Sequence, residues 1–443
     1  VNFNLKGEDM DGHKLVASLK RMSEIEEVKQ ITHLTHVLFP GTHCPLMGAA
    51  LAVRGIQDAM MMVIGTDECA YYTKSLTLNG DSFGGLDGRC VSVVLDSGDV
   101  TFGSRKRVVA AFKEMVEEYQ PKVVFLVTTC LVEIIGDDMD AIADELSEQY
   151  DIAVMAVHTE HFKCENHLPG ITRTLEACVD MMKPQPANDK VNVLGQRMGS
   201  FEGTELYQVL TQSGVKIGLQ IPSNCSVEEI KGASGAKANI VVNDTALPMA
   251  KKMKRKFGTP YVVFEKFVAP QRIYQAYTQL FEALDYPPPK MLEEKYRQAM
   301  EQTEQAKQRL QGLRYIYGNT PYPLFEYNRF LVDLEMIPLV IQTADLPEED
   351  LEDRLYIQSK HDPYLVLPAN IAPLQFVYDV LKPNFYLGHE YAHRLRKKKI
   401  ALVRSDQAAS MLGFEITHYA LDSLQKAQEE LMQMHRMLER SPA

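Results

Sequence analysis

The stretch Lys122-Val123-Val124-Phe125-Leu126-Val127 is apolar from Val123 onward and only a few residues long. A run this short and this uniformly apolar is the pattern of a strand buried on both faces. Upstream, Arg107 to Glu118 has the spacing of an amphipathic helix. Downstream, Asp138 to Gln149 predicts a second helix, and Ile152-Ala153-Val154-Met155-Ala156-Val157 repeats the strand pattern. Short apolar strands alternating with helices indicate a parallel sheet covered on both sides. The fold class is therefore α/β and doubly wound, with ligands expected at the carboxyl ends of strands.

The same rhythm restarts twice. Met181 to Lys190 is Pro-rich and polar and reads as a linker, after which Val191-Asn192-Val193-Leu194-Gly195 opens a second unit. Its further strand signals are Lys216-Ile217-Gly218-Leu219, Ala238 to Asn243 and Tyr261-Val262-Val263-Phe264. A charged helical stretch, Glu293 to Arg309, leads to a third unit with strand signals at Arg314 to Gly318, Ile337 to Ile341 and Lys399 to Val403. The expected organisation is three doubly wound, Rossmann-like domains with parallel sheets, over residues 1–185, 191–300 and 301–443. The last ends in a helix.

Composition narrows the function. The 443 residues carry 47 Lys+Arg against 59 Asp+Glu, a net charge of −12, which argues against a nucleic-acid partner. The basic runs Lys251 to Lys256 and Arg394 to Lys399 read as solvated helix ends. No apolar run approaches the roughly 18 residues of a membrane span. The N-terminal residues Val1 to Lys6 lack the apolar core of a secretion signal, and the cysteine count is odd, at seven. A reducing, cytoplasmic setting is the expectation. Neither a Walker A sequence nor G-x-G-x-x-G occurs, and Gly84, Gly85 and Gly88 lack the Lys-Ser/Thr ending of a P-loop. Direct ATP binding is therefore not expected. Hydrolase motifs of the G-x-S-x-G and H-E-x-x-H types are absent too.

Cysteines carry the chemistry. Cys44 lies in Pro40-Gly41-Thr42-His43-Cys44-Pro45 before a helix-like segment. Cys69 follows the apolar run Met60 to Ile64, and Cys130 follows the strand ending at Val127. Each comes after an apolar element and before a helix. Any one of them taken singly reads better as a small buried hydrophobe. Three in the same topological position favour thiolate ligands, since helix N-termini stabilise thiolates and offer amide hydrogens to sulfur. Cys90 and Cys178 sit in apolar contexts and read as structural.

Cys44-Pro45 with its small-residue helix, Gly65-Thr66-Asp67-Glu68-Cys69-Ala70, and Thr129-Cys130-Leu131-Val132-Glu133-Ile134-Ile135-Gly136-Asp137-Asp138 resemble nitrogenase component 1. Asp99 to Val108, Ala238-Asn239-Ile240 and Lys256 to Tyr261 extend the resemblance over nearly the whole chain. That superfamily includes nitrogenase subunits, their cofactor-assembly scaffolds and nitrogenase-like tetrapyrrole and carbon–sulfur reductases. The resemblance, to the α-type subunit with three cluster cysteines, implies an iron–sulfur cluster on Cys44, Cys69 and Cys130, either [4Fe–4S] or P-type [8Fe–7S]. It also implies a homologous sister subunit in an α2β2-type complex and a separate homodimeric iron–sulfur ATPase as electron donor.

The sequence departs from the dinitrogen-reducing pattern after the strand Ala238 to Val242. There a cofactor-ligating cysteine is replaced by Asn243, with Cys225 upstream as a substitute. A second group of ligand-type residues, His158, His161, Cys164 and His167, recurs at intervals of three after the strand ending at Val157. It is expected to face the cavity, with Cys164 and Asn243 toward a second metallocofactor and the histidines moving protons. The alternative is a polar surface helix start. The leading functional expectation is a catalytic-component subunit of a nitrogenase-like, ATP-dependent two-component reductase. The runners-up are a metallocofactor-assembly scaffold and a non-catalytic binding protein that keeps the fold.

Overall fold

The computed structural model describes residues 12–34, 43–77, 86, 88–164, 166–368 and 371–439. Gly84, Gly85 and the Pro40-Gly41-Thr42 stretch lie outside the described residues. The described residues form three sheets within two compact units.

The unit comprising Thr42–Glu265 and Tyr277–Pro289 holds two all-parallel sheets. With the two-residue strand β1 (Lys20–Arg21) belonging to the other unit, the first sheet contains β2 (Ala59–Gly65), β3 (Cys90–Val94), β4 (Val123–Thr128) and β5 (Ala153–Val157), in the order β3-β2-β4-β5. Side chains alternate along these strands as the pleat requires. Met61, Val63, Phe125, Val127 and Val157 enter one core with Ala49, Val53, Ile171 and Leu175, from the helices Pro45–Arg54 and Leu168–Ala177. Met60, Met62, Ile64, Val124 and Leu126 enter a second core, against Val108, Phe112, Ile142 and Leu146 of Arg105–Tyr119 and Met139–Tyr150. Two covered faces explain why these strands are apolar throughout, and the doubly wound reading holds. Asp138 caps Met139–Tyr150 by accepting from the Ala141 amide at 3.0 Å, so the helix starts where a short polar side chain can satisfy a free N–H.

The second sheet is β6 (Lys190–Leu194), β7 (Lys216–Ile221), β8 (Ala238–Val241) and β9 (Tyr261–Val263), in the order β7-β6-β8-β9. Leu194, Leu219, Ile221 and Val241 join the core that already holds Phe125 and Ile171. The Pro-rich run before β6 is not a free tether: Met181 and Met182 are buried, and Asn188 N donates to the Gly235 carbonyl at 2.8 Å.

The other unit comprises Val1–Gly41, Lys266–Ala276 and Lys290–Ala443. Its sheet contains β10 (Arg314–Tyr317), β11 (Ile337–Gln342), β12 (Tyr364–Val366), β13 (Phe385–Leu387) and β14 (Ala401–Val403), ordered β1-β12-β11-β10-β13-β14. Only the edge strand β1 runs antiparallel, Lys20 opposite Leu365 and Arg21 opposite Tyr364. Tyr315, Tyr317, Ile341 and Phe385 face a core that includes Ile416 and Leu424 of the helix Glu415–Glu439, whereas Ile316, Val340 and Tyr386 face the opposite core. The N-terminal segment therefore differs from the expected 1–185 grouping. Its backbone completes the open edge of β12, with Met22 N donating to the Pro363 carbonyl at 2.8 Å, and local sequence carries no signal of that pairing.

The helices Pro45–Arg54 and Leu168–Ala177 meet at backbone contact. A Cβ on Gly48 would collide with the His167 carbonyl and lie 2.9 Å from Ile171 N, and one on Gly170 would collide with the Pro45 carbonyl. Gly48→Ala should therefore lower stability by about 1–3 kcal/mol through overpacking. Gly232→Ala, with nothing within 4 Å of the added carbon, should leave it nearly unchanged. Urea midpoints at constant m value check both.

Candidate metal centre

The order β3-β2-β4-β5 reverses direction between β2 and β4, so the crevice at their carboxyl ends is the topological switch point of the first sheet. Two of the three cysteines leave from it. After β2, the chain turns at Thr66 into the helix Asp67–Thr77, in which Cys69 is the third residue. After β4, Thr129 is the N-cap and Cys130 the first residue of the helix Cys130–Ile135. The third, Cys44, is the N-cap of Pro45–Arg54, with extended backbone and Pro45 at the first helical position.

All three are half-buried and free of disulfides. The Cys44 thiol is pushed above its ordinary value. Burial is the largest cause, the amides of Met47 and Leu46 oppose it, and negative charge on nearby Cys69 and Cys130 adds to it. Cys44 thus lies within electrostatic reach of both other thiols. Tyr72 lies alongside, pushed up to about 12 by burial and by Cys44, and its hydroxyl is 2.8 Å from His43 Nδ1.

Close packing fixes the junction between β2 and β4. Gly65 ends β2, and any Cβ there would collide with the Thr129 side chain. Thr129 Oγ1 is buried and has no hydrogen-bond partner among the described residues, directly before Cys130. Cys130 Sγ itself accepts from the His161 amide at 3.2 Å. Among the described residues no three His, Cys, Asp or Glu side chains close on a single metal ion. A polynuclear cluster sets its thiolates farther apart than one ion does. The donor set, three half-buried thiols at helix starts with an orphaned hydroxyl directly before Cys130, fits an iron–sulfur cluster.

The residues at intervals of three after β5 separate into different roles. His158 is held between carboxylates, Nδ1 2.7 Å from Glu133 Oε1 and Nε2 3.1 Å from Asp140 Oδ2. His161 begins a 3-10 turn, and its amide meets Cys130. Cys164 is half-buried, with Arg173 Nη2 3.8 Å from its sulfur. Arg173 also binds Glu160 Oε2 at 2.7 Å. His167 sits at the start of Leu168–Ala177. Its pKa is lowered by burial first, then by the charges of Arg197 and His43. The structure thus brings His161 to Cys130 but does not gather all four residues at one point.

Asn243 lies just past β8 and uses its side-chain oxygen locally, accepting from Thr245 N at 3.2 Å and Thr245 Oγ1 at 2.6 Å. Cys225 is buried, its thiol pushed up to about 12 by burial. Its backbone pairs with Gly55 and Gln57. Cys178 is buried, bonded to the Thr174 carbonyl. The pairing of Glu133 with His158 and the half-buried Arg197 past β6 were not foreseen from sequence. No local pattern marks them.

A family model for nitrogenase component 1 type oxidoreductases matches residues 44–414. The chain belongs to this family. Among curated relatives, the nitrogenase iron-molybdenum cofactor biosynthesis protein NifE of Clostridium pasteurianum is 32% identical over 223 residues, 49% of each chain. NifE of Rippkaea orientalis is 28% identical over 226 residues, 49% of this chain and 48% of the relative. The nitrogenase molybdenum-iron protein alpha chain of Methanosarcina barkeri is 25% identical over 235 residues, 49% of this chain and 43% of that one. The chain spans about half the length of these relatives. A solved structure, nitrogenase Cp1 at pH 6.5, superposes with a TM-score of 0.76 at 16% identity, covering 91% of this chain and 96% of that chain, a likeness of fold. No described helix is long and apolar enough to cross a membrane.

His158 supplies a pH test. Burial lowers its pKa, but the hydrogen bonds and charges of Glu133 and Asp140 outweigh this and leave it raised above the ordinary 6.5. Its stabilising contribution is therefore fully present below 6.5 and lost as pH rises through the higher folded value. Urea midpoints against pH should show wild type losing that increment on the alkaline side, and His158→Gln should flatten that limb. Parallel curves would contradict the assignment.

Proposed function

We propose that this chain is a subunit of a metallocofactor-assembly scaffold, holding an iron–sulfur cluster on Cys44, Cys69 and Cys130. The observation that supports the reading is that Cys69 and Cys130 leave the sheet switch point at helix starts with Cys44 in their electrostatic range, while Asn243 caps its own turn. The similarity to NifE proteins supports assembly over turnover. When bound, the cluster would supply one-electron chemistry. The chain's own residues present thiolates at helix starts, exclude water with Pro45 and Leu46, and donate the His161 amide to sulfur.

Three thiolates are one short for a cubane, so a homologous sister subunit supplies the rest. The exposed apolar side chains Tyr71, Phe102, Ile134 and Phe162 support a protein partner there, three of them on segments that carry or contact the cysteines. A separate iron–sulfur ATPase would deliver electrons. Cys164, with the imidazoles of His161 and His167, is proposed to serve a second, maturing cofactor, whereas His158 and Asn243 are held by Glu133 and Asp140 and by Thr245. The three sheets are proposed as three domains, the third taking in β1 and the segments Lys266–Ala276 and Lys290–Ala443.

The second reading, a catalytic subunit of a two-component reductase, is favoured by the similarity to the alpha chain. Anaerobic transfer of cluster to an apo-acceptor, without ATP-dependent substrate reduction, is the outcome expected for a scaffold. Sustained turnover with the reductase would reverse the order of the two readings.

Cys→Ser at positions 44, 69 and 130 should each lower iron content and alter the EPR signal. Full iron in all three variants would refute the cluster assignment. Iron near four per chain pair would indicate a single cubane, and about eight a P-type or second cluster. Cys164→Ala should remove only a spectroscopic feature separate from that cluster.

A further inference from the structure

Cys130 is tied to residues 158–161 by polar contacts that cluster binding alone does not require. Glu133, one turn beyond Cys130, accepts from Thr128 Oγ1 at 2.5 Å and faces His158 Nδ1 at 2.7 Å. The other ring nitrogen of His158 faces Asp140 Oδ2 at 3.1 Å. Carboxylates only accept, so both nitrogens carry protons and His158 is an imidazolium between two anions.

The backbone beside it is pinned as well. The His158 carbonyl accepts from Arg173 Nη1 at 2.6 Å, and Thr159 Oγ1 donates to the Thr128 carbonyl at 2.5 Å. Thr159 N donates to Thr128 Oγ1 at 3.3 Å. Immediately after these anchors comes the His161 amide, 3.2 Å from Cys130 Sγ.

We propose that Glu133, His158 and Asp140 form a positioning unit that holds residues 158–160 against the end of β4. The His161 amide is thereby kept on the Cys130 sulfur, where it sets the reduction potential of the cluster. The proposal rests on Cys130 being a cluster ligand. An N–H aimed at a thiolate draws electron density from sulfur and favours the reduced, more negative cluster. Hydrogen bonds to sulfur are among the features that set such potentials. The unit acts through distance: Glu133 bridges the helix that starts at Cys130 and the loop that carries the amide. Breaking that bridge leaves Glu133, only 14% exposed, without its cationic partner.

The test uses the assembled, cluster-loaded complex. His158→Ala should keep wild-type iron content, lower the midpoint potential, and lose the exchangeable-deuteron coupling seen in the cluster's EPR-detected spectrum after transfer to heavy water. Glu133→Gln should shift the potential in the same direction. Asp140→Asn should shift it less, because Asp140 is 74% exposed. In the cluster-free chain, hydrogen exchange at the His161 amide should quicken in His158→Ala. Should His158→Ala fail to load iron, Glu133→Gln carries the measurement. Unmoved potential and deuteron coupling at full iron content would overturn the positioning role and leave Cys130 as a ligand. Full iron and an unaltered spectrum in Cys130→Ser would overturn the ligand assignment, and this proposal with it.

Discussion

The contact between Gly65 and Thr129, at the ends of two neighbouring parallel strands, holds the two cysteine-bearing turns together. The register of β2 and β4 pairs Ile64 with Thr128, so both chains reach the edge of the sheet at the same level. From there each must turn into a helix, and the space between them admits no side chain on residue 65. Both faces of the strands are occupied by core. The only place left for polar and ligating groups is the strand ends, where backbone N–H groups at helix starts are free to meet sulfur. The helix Pro45–Arg54 is brought to the same sheet by Leu46, Ala49 and Val53, which sets Cys44 within reach of the other two.

Burial and charge oppose each other at this centre. At Cys44, burial and the neighbouring charges of Cys69 and Cys130 raise the thiol above its ordinary value. A metal cluster held here would oppose that effect by favouring the thiolate of Cys44. Binding of such a cluster would release protons and weaken in acid. Away from the sulfurs, charges are matched by partners: Glu160 by Arg173, and Glu133 and Asp140 by His158. These pairs do more to hold loops in place than to add stability, since the desolvation of an ion pair offsets much of its attraction.

Members of one fold family can differ in chemistry through a few residues at strand ends. In this chain the exit of β8 carries an asparagine whose oxygen closes its own turn, and Gly195, at the exit of β6, packs against it with φ of 106°. A side chain committed to capping is poorly placed to bind metal. The exit of β8 is thus closed by its own side chain, whereas the first sheet's strand ends lead into helices that carry Cys69 and Cys130.

Much of this was legible in the chain itself. The apolar runs of β2, β4 and β5 identified the covered parallel sheet, because periodicity records which faces are buried. The placement of Cys44, Cys69 and Cys130 at helix starts was legible too, because helix starts have local signatures. The short strands β12 and β13, of three residues each, and the edge strand β1 left no such trace. Their identity comes from pairing partners outside the strand itself, Phe385 with Tyr315 and Ala401, and Arg21 with Tyr364. The histidines show the same boundary. Sequence marked His158, His161 and His167 as chemically capable, but only tertiary structure decided that one is locked between Glu133 and Asp140, one offers its amide to Cys130, and one starts a helix against Gly48. Residue type and spacing determine what a side chain is able to do. Which of those capacities is used depends on the groups that folding brings within hydrogen-bonding distance, and these come from strands and helices remote in sequence.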